Sequence, residues 1–260
     1  MRAEIFAYYR RGGETARLTD GAGRLEFLRT WDVLGRVLPA PPARVLDVGG
    51  ATGVYAAPLT DVGYTVRVVD AVAEHVAAAA EWPGVTAEVG DARALPADAA
   101  SVDAVLLFGP LYHLLDRADR IRAWREAARV VRPGGVVVAA TITRFASLLD
   151  GFVKGYLAEP EFGPVVDRVL ATGEHRPPEG RWFTTAYFHH PDELPGEVAE
   201  ADLELDRIVS VEGPLGLVRG LVGDPDWEPE VLARLRQVET EPSLYGASGH
   251  LLTVARRSTE

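Results

Sequence analysis

Residues 44–53 read Arg-Val-Leu-Asp-Val-Gly-Gly-Ala-Thr-Gly, and this stretch decides the fold. Its first five residues form a short run with apolar side chains at Val45, Leu46 and Val48, which the chain enters from the proline-rich turn 39–42. Such a run predicts a strand that is buried on both faces of a parallel sheet. The glycines that follow predict a turn with positive φ angles, where a ligand can also approach the main chain closely. The stretch therefore predicts a strand, a ligand-binding loop and the start of a helix.

Similar apolar runs recur along the chain and alternate with helical patterns. Further strands are predicted at Thr65–Val69, Val85–Val89, Val102–Phe108 and Val136–Ile142. Helices are predicted between them at Val54–Val62, Val72–Glu81 and Asp116–Val131. Strands and helices that alternate at this spacing predict an α/β fold with right-handed crossovers. Two later runs, Leu205–Val211 and His250–Ala255, predict a terminal antiparallel hairpin with a long excursion between its strands.

The alternation breaks after Ile142, and this break indicates how the chain is organised. Residues 143–190 contain many aromatic residues and turn signals and are too long for a simple connection, so we expect a helical insertion. The predicted architecture is a Rossmann-like, doubly wound sheet of seven strands, mostly parallel. Residues 41–142 would form its core, residues 191–260 its C-terminal part, and residues 1–40 an N-terminal helical cap.

Composition excludes several classes of function. The 260 residues include no cysteine, which excludes disulfide scaffolds, Cys-ligated zinc, iron–sulfur clusters and cysteine nucleophiles. A formal net charge of −11 argues against nucleic acid and anionic membranes as partners. The chain has no apolar run of membrane-spanning length, and residues 1–11 lack the apolar core of a signal peptide. We expect a cytoplasmic protein, with monomer and homodimer both open.

The glycine loop departs from two common nucleotide-binding patterns. A dinucleotide fingerprint that started at Gly49 would need glycines in place of Ala51 and Val54. A P-loop would need a Lys-Ser or Lys-Thr pair, which the loop lacks. Instead, a D-x-G-x-x-x-G pattern is followed by Asp70, which lies 17 residues after Gly53 at the end of the second predicted strand. An acid at this position can accept hydrogen bonds from both hydroxyls of a ribose.

Five segments of the chain resemble the class I S-adenosylmethionine-dependent methyltransferases. They are Val45–Gly53, Val66–Asp70, Gly90–Arg93, Asp103–Gly109 and Arg132–Gly135. Each segment is weak alone, but all five occur in the order typical of that family. The resemblance implies S-adenosylmethionine as the cofactor and methyl transfer as the reaction. The stretch Gly-Pro-Leu-Tyr-His-Leu that follows Phe108 resembles a bacterial subgroup with small-molecule substrates.

The resemblance also implies which residues hold the cofactor. They lie in the cap, in the glycine loop and after the second, third and fourth strands: Tyr9, Arg17, Asp47, Gly49, Gly50, Gly53, Asp70, Ala71, Asp91, Ala92, Phe108 and Gly109. Asp70 would bind the ribose, Asp91 would accept from the adenine amino group, and Tyr9 would fold over the cofactor. Arg17, or alternatively Arg29, would pair with the cofactor carboxylate.

Structural roles compete with some of these assignments. Asp47 could cap the turn that follows it, and Asp70 could cap the next helix while also binding a ribose. Asp91 could be only a turn residue. Ala51 stands where the family has its middle glycine, and we expect Gly50 to supply the conformational freedom that is lost.

Catalytic and substrate-binding residues are expected beyond the fourth strand and in the insertion. Tyr112 and His113 would lie near the transferred methyl group. His113 would titrate near neutral pH as a general base, or else pack against the cofactor. The substrate-binding residues would be side chains of the insertion, which would act as a lid: Phe145, Tyr187 and His189. The pair His189-His190 has no evident third ligand, so we expect no metal site.

The favoured hypothesis is a methyltransferase with a small-molecule acceptor, methylated on oxygen or nitrogen. A protein or peptide methyltransferase is one alternative, and a non-catalytic cofactor-binding protein is another. A nicotinamide-dependent oxidoreductase is disfavoured by the spacing of the glycines. The fold alone does not decide among these functions.

Overall fold

The computed structural model describes residues 3–9, 18, 21–178, 181–218 and 228–259. In these residues the strands are β1 (Arg44–Val48), β2 (Thr65–Asp70), β3 (Val85–Val89), β4 (Val102–Phe108), β5 (Val131–Ile142), β6 (Glu174–His175), β7 (Ala186–Tyr187), β8 (Leu203–Ser210) and β9 (His250–Arg257). The α-helices are α1 (Ala3–Tyr9), α2 (Gly21–Val37), α3 (Ala56–Asp61), α4 (Ala73–Ala79), α5 (Pro110–His113), α6 (Arg117–Val130), α7 (Ala146–Lys154), α8 (Phe162–Thr172), α9 (Leu194–Ala199) and α10 (Glu228–Val238). None of these helices has both the length and the apolar character that crossing a membrane requires.

Seven of the strands form one sheet in the order β3-β2-β1-β4-β5-β9-β8, and β6 and β7 form a small separate sheet. Neighbouring strands from β3 to β5 are parallel, whereas β9 is antiparallel to both β5 and β8. The predicted Rossmann-like sheet with a C-terminal antiparallel hairpin is therefore confirmed. The strand order reverses between β1 and β4, and open sheets of this kind form a ligand crevice at that reversal.

Each face of the sheet carries its own apolar layer. Along β1, Val45 packs into one layer and Leu46 into the other, because successive side chains point to opposite faces. Helices α2 and α3 cover the first face, and α6 covers the second with the fully buried Trp124. Since both faces are covered, the central strands need apolar residues on both sides, which explains their continuous apolar runs.

Local signals and strand pairing together set the ends of the elements. Helix α6 begins where the Asp116 side chain accepts a hydrogen bond of 2.8 Å from the Ala118 N–H. Strand β5 begins at Val131, earlier than the predicted start at Val136. The reason is that Val131 pairs with Val102 of β4 across an irregularity in the register.

The insertion 143–190 differs in part from its prediction as a helical segment. It contains α7 and α8 but also the two-stranded antiparallel sheet of β6 and β7. A parallel bridge between Thr143 and His189 joins the start of the insertion to its end. The division of the chain into a cap, a core and a lid stays a prediction.

Candidate active site

A cavity lies at the reversal of strand order, and we call it the glycine-loop cavity. Its walls come largely from the segments that follow β1, β2, β3 and β4. The predicted cofactor residues that line it are Tyr9, Gly49, Gly50, Asp70, Ala71, Asp91, Ala92, Phe108 and Gly109. Asp47 and Gly53 do not line it themselves, and Arg17 lies outside the described residues. Residues that are distant in the sequence thus meet at one edge of the sheet.

Two glycines of the loop are required by their backbone conformation and their close packing. Gly49 has a φ of +77°, and a Cβ atom there would stand 2.7 Å from Pro110 Cδ and 2.8 Å from Phe108 O. Gly53 has a φ of +85°, and a Cβ atom would stand 3.0 Å from Trp82 Cδ1. Because Gly49 has no side chain, the loop after β1 can lie directly against the exit of β4, which brings two walls of the cavity together.

We expected Gly50 to supply the conformational freedom that is lost at Ala51, but Ala51 itself adopts the left-handed conformation, so that expectation is wrong. Ala51 has a φ of +47°, in the left-handed region, whereas Gly50 does not lie in that region. A left-handed residue with a Cβ atom costs about 1–2 kcal/mol. The conformation is held by the Ala51 N–H, which donates a hydrogen bond of 3.1 Å to Asp70 Oδ2.

Asp47 is a buried carboxyl group beneath the loop. Its side chain is fully buried, and among the described residues neither of its oxygens has a hydrogen-bond partner. A Cβ atom on Gly50 would collide with this carboxyl group. Burial, and secondarily the charge of Asp70, raise the pKa of Asp47 to about 7. A capping role for Asp47 therefore has no support, because a cap would show hydrogen bonds to backbone N–H groups.

Asp70, the last residue of β2, fixes the conformation of two loops. Its Oδ2 accepts the hydrogen bond from Ala51, and its Oδ1 accepts one of 2.8 Å from the Val72 N–H at the start of α4. The ring of His75 lies beside it, with Nδ1 3.4 Å from Oδ1. The expected capping role is not present, because the N-cap residue of α4 is Val72 and no side chain caps the helix; the Asp70 carboxylate instead fixes the turn before α4 and faces the cavity.

Asp91 and Ala92 form the wall that follows β3. Arg93 donates hydrogen bonds to Asp91 from its backbone N–H and from its guanidinium group, and it also binds Asp119. These hydrogen bonds from Arg93 lower the pKa of Asp91 even though burial opposes the shift. Asp91 is therefore a turn residue that also presents an ionised carboxylate to the cavity.

The exit of β4 turns the chain sharply into α5. Gly109 has a φ of +134°, and Pro110 occupies the first helical position, where a missing N–H is tolerated. This turn brings Tyr112 and His113 to the cavity. The Tyr9 hydroxyl of α1 lies 2.6 Å from His113 Nε2, so the N-terminal helix closes this side of the cavity.

His113 does not titrate near neutral pH, contrary to the sequence prediction. Its burial lowers its pKa to about 3, although the charge of Asp70 and the backbone of Thr185 oppose the shift. The imidazole is therefore neutral at pH 7 and is a weak base. Its position favours the alternative of packing in the cavity wall and binding Tyr9.

A second cavity adjoins the first, and we call it the insertion cavity. Its volume is about 460 Å³, within the range of pockets that hold small organic molecules. Many of its lining residues are aromatic or aliphatic, and about half belong to the insertion, including Tyr156, Phe162, Trp182, Phe183 and Phe188.

The junction of the two cavities contains residues that the sequence analysis did not select. Among the described residues, Tyr9, Glu26, Tyr112 and His250 line both cavities. Glu26 lies on α2, and His250 is the first residue of β9. Because β9 runs antiparallel to β5, its start lies at the edge where the parallel strands end. Asp70 was selected because it stands at the ligand edge of the sheet, and the same rule applied to the start of β9 would have selected His250.

Glu212 lies next to His250, two residues after the end of β8. Its Oε1 is 2.5 Å from His250 Nδ1, and its Oε2 accepts hydrogen bonds from the Ser248 hydroxyl and the His250 N–H. Burial alone would raise the pKa of Glu212, but His250 and the Ser248 hydroxyl together hold it at about 2. Potential ligand atoms of Glu26, Glu212 and His250 all lie within 4.8 Å of one another.

The predicted substrate residues do not line either cavity. Tyr187 packs under Arg120, whose guanidinium carbon is 3.8 Å from the ring centre. His189 is fully buried, with Nε2 3.5 Å from Glu197, which forms an ion pair of 2.8 Å with Arg120. Phe145 stacks edge-on with a histidine at another surface depression. The geometry therefore favours structural roles, because a buried ion pair occupies the space that a substrate would need.

Arg29, the alternative partner for a cofactor carboxylate, is also engaged elsewhere. It is fully buried and binds Glu239, Asp32 and the carbonyl oxygen of Val211. Arg29 is not one of the described residues that line the glycine-loop cavity. Its contacts join α2 to the segments around β8 and α10, so its role is structural.

Comparisons with known proteins agree with the fold. A family model described as a methyltransferase domain matches residues 45–135. An uncharacterized methyltransferase of Mycobacterium tuberculosis (strain H37Rv) is 33% identical over 232 residues, which are 86% of each chain. A ubiquinone biosynthesis O-methyltransferase of Methylocella silvestris is 35% identical over 111 residues, 41% of this chain and 42% of that protein.

A solved structure shows the same architecture. It is a Thermotoga maritima protein described as a SAM-dependent methyltransferase and possible histamine N-methyltransferase. The two structures superpose with a TM-score of 0.61, over 98% of this chain and 100% of that one, at 19% identity. At this identity the likeness concerns the fold alone, and the sequence relatives carry the assignment. By its match to the mycobacterial methyltransferase over most of both chains, the chain belongs to the class I S-adenosylmethionine-dependent methyltransferase family.

Proposed function

We propose that the chain is an S-adenosylmethionine-dependent methyltransferase that methylates a small organic acceptor. The observation that carries the proposal is the pair of adjoining cavities at the carboxyl edge of the sheet. The glycine-loop cavity contains the residues that match the family motifs, and the insertion cavity offers room for a second small molecule. Two reactants in adjoining cavities can be aligned, and alignment accelerates a reaction between them by several kcal/mol.

The residues of the glycine-loop cavity fit the cofactor. Gly49 and Gly50 leave the loop without side chains, so a methionine chain can lie against its backbone. Asp47 is buried beneath Gly50 and does not line the cavity, so it would act by shaping the loop rather than by touching the cofactor. Asp70 would accept from the ribose hydroxyls, and Asp91 would accept from the adenine amino group. When bound, S-adenosylmethionine supplies a methyl group that is activated on a sulfonium sulfur.

The aromatic wall at the junction would keep water from the reacting atoms. Tyr8 and Tyr9 of α1 meet edge-on, and Tyr8 also contacts Phe183 of the insertion edge-on at 5.3 Å. Tyr112 lies beside Phe183, with 6.5 Å between ring centres. The N-terminal helix and the insertion thus meet above the junction, which agrees with the roles of cap and lid that we propose for them.

Size and charge support a small acceptor. The insertion cavity has about the volume of pockets for drug-sized molecules, and the net charge of −11 opposes a nucleic acid substrate. The Methylocella silvestris relative is by name an O-methyltransferase of ubiquinone biosynthesis.

Calorimetry with S-adenosylhomocysteine tests the cofactor assignment. We expect the wild-type protein to bind and the Asp70→Asn variant to bind about 10- to 100-fold more weakly, since each hydrogen bond to a charged group contributes about 1.5–3 kcal/mol. The exposed Asp61 offers a matched control, and Asp61→Asn should leave the affinity unchanged. Failure of the wild-type protein to bind, or equal affinities in all three proteins, would contradict the proposal.

A further inference from the structure

We propose that the acceptor is an aromatic molecule, and that Phe183 is the residue of the insertion cavity on which its ring packs. This inference rests on the proposed function, because it names the acceptor class of the same enzyme. Trp182 and Phe183 have φ angles of +49° and +88°, in the left-handed region that bulky side chains rarely occupy. Strained residues of this kind persist only where their surroundings hold them, and they cluster at functional sites.

Two neighbouring elements hold the backbone of this strained pair. His175 of β6 donates a hydrogen bond of 2.8 Å from Nε2 to the carbonyl oxygen of Trp182. Its Nδ1 can then accept from the hydroxyl of Ser147 on α7, which lies 3.2 Å away. Burial lowers the pKa of His175 to about 4, so at pH 7 the ring is neutral, as these two hydrogen bonds require. His175 is therefore a positioning residue for the pair.

The side chain of Trp182 is held as well. The guanidinium carbon of Arg181 lies 4.1 Å from the centre of the Trp182 ring, and the same guanidinium group forms ion pairs with Glu159 and Glu161. On α8, Phe162 meets the Trp182 ring edge-on, with 4.9 Å between ring centres. Trp182 thus anchors the segment to the start of α8.

Phe183 lies next to the junction of the two cavities. It lines the insertion cavity, and its ring centre is 6.5 Å from that of Tyr112 and 6.1 Å from that of His113. Tyr112 lines both cavities, and His113 lines the glycine-loop cavity. A molecule that packs on Phe183 inside the insertion cavity is therefore close to the wall of the cofactor cavity, as methyl transfer requires.

The rest of the wall favours an aromatic molecule over an aliphatic one. The other aromatic residues that line the insertion cavity include Tyr8, Tyr9, Tyr112, Tyr156, Phe162, Trp182 and Phe188. Tyr8 and Phe183 meet edge-on with 5.3 Å between ring centres, which is a geometry that aromatic pairs prefer. An aromatic ligand can add edge and face contacts of the same kind, whereas an aliphatic ligand of equal size gains only its burial. The cavity volume of about 460 Å³ leaves room for a small ring system.

Calorimetry with a matched pair of probes tests the acceptor class without any cofactor. 2-Naphthol and decahydro-2-naphthol share a carbon skeleton and a hydroxyl group, but only 2-naphthol is aromatic. We expect wild type to bind 2-naphthol about tenfold more tightly than the saturated probe, because several ring contacts add to its burial. Equal affinities for the two probes, or binding of neither, would overturn the proposal.

The same affinity ratio tests Phe183. Phe183→Leu should lower the ratio about two- to tenfold, which is the contribution of one aromatic pair, whereas Phe183→Tyr keeps a ring and should retain it. Phe152→Leu is the matched control, because Phe152 is 66% exposed and lines neither cavity. An undiminished ratio in folded Phe183→Leu, or an equal loss in Phe152→Leu, would contradict the role of Phe183.

Two variants of His175 test its positioning role. His175→Gln can still donate a hydrogen bond to the carbonyl oxygen of Trp182 and should keep most of the ratio, whereas His175→Leu cannot and should lose as much as Phe183→Leu. Urea unfolding of both variants separates a loss of the ratio from a general loss of stability. Equal ratios in the two variants would overturn the positioning role.

Calorimetry with S-adenosylhomocysteine separates this inference from the proposed function. We expect 2-naphthol to bind the protein saturated with S-adenosylhomocysteine within about threefold of its affinity for the free protein, because weakly coupled sites keep their affinities. Selective binding of 2-naphthol by a wild-type protein that does not bind S-adenosylhomocysteine would refute the proposed function alone. Displacement of 2-naphthol by S-adenosylhomocysteine would place the probe in the glycine-loop cavity and overturn this inference.

Discussion

Replacing Asp47 with asparagine should stabilise the ligand-free protein at neutral pH and above. Asp47 is fully buried, neither oxygen has a hydrogen-bond partner among the described residues, and its pKa is raised from 3.8 to about 7. One pKa unit corresponds to about 1.4 kcal/mol, so ionising this group in the folded state costs about 4 kcal/mol more than in the unfolded chain. Asparagine has the same shape but does not ionise.

The sign of the effect follows from which state binds the proton more tightly. Below about pH 4 the aspartic acid is protonated in both states, and its burial carries no charge penalty. Between about pH 4 and pH 7 the unfolded chain has ionised this group while the folded state still holds the proton, so the wild type loses stability across this window and little more above it. The stability of Asp47→Asn relative to wild type should therefore rise by up to about 4 kcal/mol between pH 4 and pH 8.

Urea unfolding at pH 5, 6, 7 and 8, followed by circular dichroism, measures this difference directly. Asp61→Asn, a change at an exposed carboxylate, controls for net charge, and its difference from wild type should not vary with pH in this way. In an Asp70→Asn background the slope should be smaller, because the charge of Asp70 contributes to the raised pKa of Asp47. A difference between Asp47→Asn and wild type that stays constant from pH 5 to pH 8 would refute the reasoning.

Three further predictions concern the loop, the buried histidine and the insertion. Gly49→Ala should lower the free energy of unfolding by about 1–3 kcal/mol and abolish binding of S-adenosylhomocysteine, because the φ of residue 49 is +77° and the added Cβ atom would lie too close to Pro110. Gly35→Ala, on an open helix face, should instead raise the free energy of unfolding by up to about 1 kcal/mol, as measured by urea unfolding. His113 should remain neutral in NMR titrations down to about pH 4, because burial lowers its pKa to about 3; protonation near pH 6 would contradict this. Glu197→Gln should lower the free energy of unfolding in urea by about 3–5 kcal/mol, because it leaves the buried Arg120 unpaired. If this loss is no larger than that caused by Glu200→Gln at an exposed position, the buried ion pair contributes little to stability.

The proposed reaction distributes its tasks over residues from distant parts of the chain. The loop after β1 and Asp70 would hold the cofactor, and the insertion would enclose the acceptor. His250 and Glu212 come from the C-terminal hairpin, which the resemblance to the family motifs does not reach. The family motifs therefore cover much of the wall of the glycine-loop cavity, whereas the junction with the insertion cavity includes segments that the motifs leave out.

Much of the fold was predictable because its signals are local. The run that ends at Val48 and the glycines after it specify a buried strand and a turn through the properties of consecutive residues. Asp70 could be placed at the ligand edge because the carboxyl ends of parallel strands always share one edge. For the same reason Phe108 and His113 were placed correctly at the cavity, although the chemistry of His113 was not.

The errors share a physical cause, which is that burial and partners are set by distant residues. The burial of His113 comes from elements on several sides, and it moves the pKa below the range expected from the residue type. Tyr187 and His189 have the composition of a substrate site, but an ion pair between Arg120 and Glu197 occupies their surroundings. Nothing in the local sequence around residue 189 indicates that pair.

The sequence by itself therefore determined the order of strands and helices, the glycine loop and the position of Asp70 at the ligand edge of the sheet, because each depends on neighbouring residues or on a rule of sheet topology. Only the tertiary structure decided that Ala51 carries the left-handed conformation, that Asp47 is buried without a partner, and that His250 meets Glu212 at the junction of two cavities. These properties depend on contacts between segments tens to hundreds of residues apart. The electrostatic state of a side chain is set by those contacts and not by its position in the sequence.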